Sequence, residues 1–213
     1  MKKIQIRLVV LATIISTSLF AQDNSGSSDT RDNVSFGIKA GVNFSNVYDE
    51  EGEDFVADGK VGFAGGVFVT FPLGTYFGIQ PEVMYSQKGF KVTGDFLGAD
   101  YEIKRTTTYL DIPLHLQIKP IENLSLLVGP QFSYLLKTKN EFNGLSSEDE
   151  REINDENYKK GVLGLSVGAD FHIQNFLISA RGSWDLSKTD TDGDTSDIRY
   201  KNQVIQLTVG YKF

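Results

Sequence analysis

Apolar and polar residues alternate with a period of two along most of this chain. The segments 77–88 and 107–118 show the pattern most clearly: in the first, Ile79, Val83 and Tyr85 are separated by polar or small residues. Because a strand directs successive side chains to opposite faces, this period predicts β-strands with one apolar and one polar face.

Eight segments of the chain follow this plan. They are 34–44, 61–71, 77–88, 107–118, 124–137, 163–171, 176–186 and 205–213. A strand of about 9–11 residues is long enough to cross a bilayer when it is tilted. The segments are 9–14 residues long, which is enough to cross, and no helical period competes with them after the first 21 residues.

The connections between these segments alternate between short and long. The short ones are 72–75, 119–123 and 172–175, and the long ones are 45–60, 89–106, 138–160 and 187–202. Tight periplasmic turns and longer extracellular loops are typical of outer-membrane barrels. The sequence therefore predicts an all-β fold: an eight-stranded antiparallel up-and-down transmembrane β-barrel with short periplasmic turns and long extracellular loops.

Aromatic residues cluster at both ends of the predicted strands. Those near the short connections are Phe36, Phe71, Phe77, Phe171, Phe176, Tyr211 and Phe213, and those near the long ones are Phe44, Phe63, Tyr85, Tyr134 and Trp184. Two belts of aromatic residues, one at each end of the strands, are typical of a barrel whose ends lie at the two bilayer interfaces.

The first residues have the features of an export signal. Residues 1–21 combine a basic start, a short apolar run and a small residue at Ala21, which predicts a signal peptide cleaved after Ala21. A polar, disordered periplasmic leader is expected at 22–33, and the barrel at 34–213. The expected location is the outer membrane of a Gram-negative bacterium.

Composition and charge exclude several classes of partner and site. The chain contains no cysteine, so it has neither disulfides nor thiolate metal ligands. Its formal charge of −7 argues against nucleic-acid binding, which needs a basic face.

Charged residues of both signs fall on the polar face of the predicted barrel. They are Lys39, Glu82, Asp111, Lys137, Asp170, Arg181, Asp185 and Lys212. An eight-stranded barrel is just wide enough for side chains to fill it, so an open diffusion pore is not expected. Acid–base pairs between Glu82 and Asp111, or Asp170 and His172, are an alternative. An ion-pair network that closes the lumen is favoured, since unpaired buried charge is costly.

Catalytic residues are not evident. A hydrolase needs a serine within hydrogen-bond reach of a histidine and a third orienting group. The two histidines are His115 and His172, and the alternation alone places neither Ser166 nor Ser179 beside either one. A membrane-embedded lipid-modifying hydrolase is therefore the least favoured interpretation.

The long connections are acidic, and one resembles a calcium loop. Four aspartates surround a glycine in the last of them: Asp190, Asp192, Asp194 and Asp197. Such spacing supplies hard oxygen ligands for Ca²⁺, but the full twelve-residue loop and its closing glutamate are missing. A solvated acidic loop is favoured over a calcium site. Divalent bridging to lipopolysaccharide phosphates is a weaker form of the same hypothesis.

Several sequence features resemble a known family. The segment GIQPEVMYSQKG, the downstream YLDIPLHLQI, a signal ending in FAQ and a final aromatic strand are similar to the PorT-like small outer-membrane β-barrel domains of Bacteroidota. The resemblance implies an eight-stranded outer-membrane barrel. The ending Tyr211-Lys212-Phe213 looks like the signal read by the barrel-assembly machinery.

These observations favour a non-enzymatic integral outer-membrane protein. Its acidic extracellular loops would act in envelope structure or in contact with an envelope protein partner, with outer-membrane lipid or lipopolysaccharide around the barrel. An accessory role in protein secretion or transport, as implied by PorT-like relatives, is the alternative. A soluble, lipocalin-type barrel is the remaining fold alternative, because alternation alone does not say which face is inside.

Overall fold

The computed structural model describes residues 33–48, 58–96, 99–144, 147–152, 161–186 and 201–213. Within these residues the chain forms nine strands. They are β1 (Ser35–Tyr48), β2 (Asp58–Pro72), β3 (Phe77–Phe96), β4 (Ala99–Ile121), β5 (Leu124–Gly144), β6 (Ser147–Glu152), β7 (Gly161–Ile173), β8 (Phe176–Asp185) and β9 (Lys201–Lys212). No helix in the described part of the chain is long and apolar enough to cross a membrane.

Eight of the strands form a closed antiparallel barrel. Each pairs with its neighbours along the chain, β5 with both β4 and β7, and β1 completes the circle by pairing with β9. The seam extends from Gly37 opposite Lys212 to Tyr48 opposite Lys201. The predicted eight-stranded transmembrane barrel is confirmed. The ninth strand, β6, pairs with β5 alone.

The barrel is apolar outside and polar inside. Neighbouring residues on β1 illustrate the change: Ile38 is 53% exposed, whereas Lys39 is 3% exposed. The same alternation continues through the other barrel strands, where large apolar side chains are exposed and most buried side chains are polar. A lipocalin-type barrel would place the apolar face inward, so that alternative is wrong. The outer surface is suited to lipid.

The short connections lie together at one end of the barrel, which we call the short-turn end. They consist of residues 73–76, 122–123 and 174–175. Gln174 has a left-handed φ of 55°, which allows the tight reversal between β7 and β8. The opposite end is called the long-loop end.

Two of the predicted long loops are largely strand, which corrects the sequence interpretation. Segment 89–106 continues β3 and β4, which remain paired as far as Phe96 and Ala99. In segment 138–160, β5 continues to Gly144 and then pairs with β6. Backbone pairing outside a membrane needs no apolar face, so strands can continue through charged sequence. The projecting sheet consists of residues 89–96, 99–106, 138–144 and 147–152.

A β-bulge in β5 changes the placement of Lys137. Thr108 is opposite Lys137 and Tyr109 is opposite Leu135, which leaves Leu136 as an extra residue. A bulge of this kind interrupts the two-residue alternation of the strand. Lys137 is consequently exposed on the outer surface, and its predicted position in the lumen is wrong.

Aromatic side chains surround the seam at the short-turn end. The rings of Phe36 and Phe213 are stacked with centroids 5.0 Å apart. Tyr211 contacts Phe213 at 5.0 Å and Phe176 at 5.3 Å, both edge to face. These outward-facing rings join β8, β9 and β1 where the barrel closes, at the level expected for a bilayer interface.

Candidate functional site

Four charged side chains meet in the middle of the lumen. Lys39, Glu82, Asp170 and Arg181 come from β1, β3, β7 and β8, and each occupies an inward position of its strand. At most 3% of each side chain is exposed. We call this group the central charge cluster.

Glu82 is the centre of this cluster. Its Oε2 atom accepts hydrogen bonds from Lys39 Nζ at 2.5 Å and from Arg181 Nη1. The second guanidinium nitrogen, Nη2, lies 3.4 Å from Asp170 Oδ1. Two cations thus face two carboxylates, and this balance lets all four charges remain buried.

Neutral side chains satisfy the remaining oxygen atoms of the two carboxylates. Gln80 Nε2 lies 2.9 Å from Glu82 Oε1 and 3.2 Å from Asp170 Oδ2. Ser179 donates to Asp170 Oδ1 at 2.5 Å, and Thr70 donates to Gln80 Oε1 at 3.0 Å. The polar interior is therefore a connected network, which is expected to be rigid.

Each histidine has a serine neighbour, contrary to the sequence interpretation. His115 Nε2 lies 3.1 Å from Ser166 Oγ, and His172 Nε2 lies 3.2 Å from Ser125 Oγ. On its other side, His115 Nδ1 is 3.5 Å from Glu82 Oε1, too long for a strong hydrogen bond. These contacts join strands distant in sequence, so the alternation pattern could not reveal them.

Glu82, His115 and Ser166 follow one another in space as the carboxylate, imidazole and hydroxyl of a hydrolase triad do. Two features argue against hydrolysis at this place. Glu82 already carries two cationic partners. Ser166 is 1% exposed, so its hydroxyl is shielded from solvent. The arrangement is therefore suited to filling and fixing the lumen.

A second charged group lies nearer the long-loop end. Lys88 is almost fully buried, with Nζ 3.1 Å from Asp111 Oδ1, 3.3 Å from Ser133 Oγ and 4.8 Å from the centroid of the Tyr109 ring. Sequence reasoning omitted Lys88, although it continues the inward phase of Glu82 along β3. The alternation of inward and outward positions along β3 could therefore have predicted that Lys88 lies in the lumen.

The other predicted site residues are dispersed. Asp185 is buried and accepts a hydrogen bond from Asn202 Nδ2 at 2.7 Å. Lys212 lies half-buried at the short-turn end, where its backbone exchanges hydrogen bonds with Asn175. Asp111 belongs to the Lys88 group and Lys137 lies outside the barrel.

The candidate calcium ligands lie outside the described residues. They are Asp190, Asp192, Asp194 and Asp197. Within the described ranges, no group of three or more histidine or acidic side chains is arranged to hold a metal ion.

The closed barrel, its apolar surface and its polar lumen together point to a membrane protein family. Residues 20–191 match the family described as outer membrane protein beta-barrel domain. This chain belongs to that family. Membership indicates an outer-membrane location and agrees with an exterior suited to lipid and an interior filled by side chains.

Solved structures of small outer-membrane barrels are similar to this chain at low identity. Ail, the attachment invasion locus protein of Yersinia pestis, is 18% identical, with a TM-score of 0.49 and coverage of 84% of this chain and 98% of that one. Neisserial surface protein A is 12% identical, with a TM-score of 0.46 and coverage of 85% and 99%. No curated protein sequence matches.

Proposed function

We propose that this protein is a non-enzymatic outer-membrane barrel that acts through its long-loop end, in envelope structure or in contact with an envelope protein. The observation that carries the proposal is the contrast between the two parts of the molecule. The lumen is filled by the connected network around Glu82. The projecting sheet, by contrast, extends the backbone well beyond the strand length that a bilayer requires.

In this proposal the long-loop end is extracellular and the short-turn end is periplasmic. That orientation is supported by the general arrangement of outer-membrane barrels. The final strand, β9, closes the seam with β1 and ends beside Phe213, and we propose it as the part recognised by the barrel-assembly machinery. Lipopolysaccharide and other outer-membrane lipid surround the barrel.

The negative charge of the long-loop end favours a partner of opposite charge. Acidic residues are frequent in β6, with the sequence SEDERE, and in the first long connection, which includes Asp49, Glu50 and Glu51. A partner with a basic face would be attracted to this end, with an association rate that falls as salt increases.

Site-specific crosslinking on intact cells tests this function. A photoreactive residue replacing Ser147 is compared with one replacing Glu122 in a short turn. We expect a discrete crosslinked envelope protein from position 147, lost when Glu148, Glu150 and Glu152 are changed to Gln. Identical products from both positions, or products unaffected by neutralisation, would contradict a contact through the long-loop end.

A secretion accessory role, as in PorT-like proteins, is the second candidate. It is supported by the resemblance of the segments around Glu82 and Asp111 to that family. Deleting the gene and comparing secreted proteins separates the two functions. Loss of a set of secreted proteins favours the accessory role, whereas an unchanged set with altered envelope stability favours the structural role.

Calcium binding in the last loop is a separate proposal, and the favoured expectation is a solvated acidic loop. Calorimetric titration of Ca²⁺ into the purified barrel should show no saturable binding. Saturable binding abolished by D192N and D194N would instead establish a calcium loop.

A further inference from the structure

Charge is distributed unevenly along the lumen. The central charge cluster is balanced, because it contains two cations and two carboxylates. Between this cluster and the short-turn end, the described inward positions include basic residues but no carboxylate. Four polar side chains line the lumen at that end, and we call them the short-turn mouth: Lys119, Ser125, His172 and Lys212.

The short-turn mouth occupies one continuous arc of the barrel wall. Lys119 lies near the end of β4 and Ser125 near the start of β5, so the two residues flank one short turn. His172 lies near the end of β7, and Lys212 is the last residue of β9. Each of them continues the inward phase of its strand. Their side chains therefore face the lumen rather than the lipid.

Two observations place His172 close to Lys212. In the register, His172 is opposite Leu177 on β8. Leu177 is in turn opposite Gly210, which is one inward position from Lys212. Two strand spacings amount to about 10 Å along the wall, and the curvature of a narrow barrel brings inward side chains nearer to one another. The turn that follows His172 also contacts Lys212 directly, since Asn175 Nδ2 lies 2.9 Å from the Lys212 carbonyl oxygen.

The His172 ring directs one nitrogen atom at no protein acceptor. Its Nε2 atom lies 3.2 Å from Ser125 Oγ. Its Nδ1 atom is buried and has no hydrogen-bond partner among the described residues. When Ser125 donates to Nε2, the ring proton is on Nδ1, which is then a buried donor without an acceptor. Such a donor is costly unless a bound group accepts its hydrogen bond.

The Lys212 ammonium group forms no ion pair with a carboxylate of the described residues. Asp170, the carboxylate next along β7, is already bonded to Arg181 and Ser179. Glu122, in the turn between β4 and β5, is exposed. Lys212 itself is half-buried, so its charge is partly removed from water while it remains reachable from the open end of the barrel.

Lys119 adds a second positive charge to the short-turn mouth. It is buried and is engaged in a contact of its own. The charges of Lys119 and Lys212 both act on the His172 imidazole, which shows that the three groups share one region of the lumen. This region therefore combines two ammonium charges with one N–H donor.

The other end of the lumen has the opposite sign. There Lys88 is accompanied by two carboxylates, Asp111 and Asp185, and both act on its charge. The chain as a whole carries a formal charge of −7. The positive excess at the short-turn mouth is therefore local, and a lumen lined by one sign of charge concentrates ions of the other sign.

We infer that the short-turn mouth binds a small, doubly charged oxyanion of the phosphate class. The ammonium groups of Lys119 and Lys212 balance its two charges, as lysines do when they act as point charges on phosphate. The Nδ1–H group of His172 donates a hydrogen bond to it. The width of an eight-stranded barrel restricts the site to a small ion. The site lies at the opposite end from the proposed partner contact, so either one can fail without the other.

Nuclear magnetic resonance of the ¹⁵N-labelled full chain in detergent micelles tests this site with inorganic phosphate as the probe. The sequence contains two histidines, so His115 in the central part of the lumen is an internal reference for His172. Phosphate replaces chloride at constant ionic strength and at a mildly alkaline pH, where phosphate is mainly a dianion. We expect a saturable shift of the His172 imidazole signals and no shift of those of His115.

Matched variants define the outcomes. K212Q should raise the phosphate concentration for half-saturation about tenfold, since one charge-assisted hydrogen bond is lost. K212R should bind within about threefold of the wild type because it keeps the charge. K137Q, on the outer surface at the other end, should bind as the wild type does. Heat-modifiable gel migration verifies that each variant is folded.

Three results would overturn the inference. They are a His172 shift that does not saturate, an equal shift of His115, and a half-saturation in K212Q within twofold of the wild type. Acetate, a monoanion, should need at least about ten times the concentration of phosphate because it leaves one charge unbalanced. Equal binding of acetate would also overturn the assignment to a phosphate-class ion.

Discussion

Lys39 Nζ on β1 lies 2.5 Å from Glu82 Oε2 on β3, across a strand that separates them in the sheet. This ion pair bridges β2 on the inner surface of the barrel, and the same carboxylate oxygen also accepts a hydrogen bond from Arg181 on β8. Three strands are thus linked through one atom. Glu82 is therefore the residue whose loss should affect the interior most.

Changing Glu82 to Gln should destabilise the barrel by about 3–5 kcal/mol, because two buried cations lose their shared carboxylate. Guanidinium unfolding in lipid vesicles measures the change. The exposed turn residue Glu122 provides a control, and E122Q should alter stability by no more than about 0.5 kcal/mol. Equal effects of the two substitutions would show that the cluster does not stabilise the fold.

Lys88 and Asp111 should behave as a coupled pair. K88M and D111L each leave one buried charge without its partner and should each cost about 3–5 kcal/mol, whereas the double variant should cost much less than their sum. The same unfolding measurement gives the coupling free energy. Simple additivity would mean that the 3.1 Å contact contributes nothing specific.

Ser166 should be unreactive despite its contact with His115. A fluorophosphonate probe should leave the folded wild-type protein unlabelled, because the serine is enclosed within the lumen. S166A should lower the free energy of unfolding by about 1 kcal/mol through loss of one hydrogen bond. Labelling of the native protein that disappears in both S166A and H115A would instead support a hydrolase.

A charged substitution on the lipid-facing surface should destabilise the barrel more the deeper it lies in the membrane. L207R places a cation midway along β9 and should cost about 2–4 kcal/mol, whereas Q203R, nearer the long-loop end, should cost about 0–1 kcal/mol. Both positions are exposed, so burial in protein does not explain a difference. Equal costs would argue against a bilayer around this strand.

The alternation of apolar and polar residues predicted the barrel strands and their faces. One side of each strand meets lipid and the other meets a polar lumen, so every pair of successive residues must contain one apolar and one polar position. Ile38 and Lys39 follow this rule. Outside the membrane there is no lipid to require an apolar face. The extension of β3 to Phe96 and the strand β6 are therefore not subject to this rule, and β6, with the sequence SEDERE, shows no alternation of apolar and polar residues by which it could be predicted.

The site was only partly predictable for a different reason. Inward charges such as Asp170 could be found from the phase of their strand, but their neighbours depend on how strands are staggered around the barrel. The contact between His115 and Ser166 is set by that stagger. Lys137 was misplaced because a bulge leaves no distinctive residue type in the sequence.

The central charge cluster also bears on how the chain folds. The contacts of Glu82 with Lys39 and Arg181 join residues 43 and 99 positions apart, and Gln80 reaches Asp170 across 90 positions, so none of these three can form within a single hairpin. Within the cluster, only the contact between Arg181 and Asp170 lies within one hairpin, that of β7 and β8. Such separations raise contact order, which slows folding because long loops must close before their contacts stabilise anything. Arg181 reaches Glu82 only once β8 is in place, late in the chain. Assembly of the interior should therefore be a late, cooperative step that coincides with closure of the seam between β1 and β9.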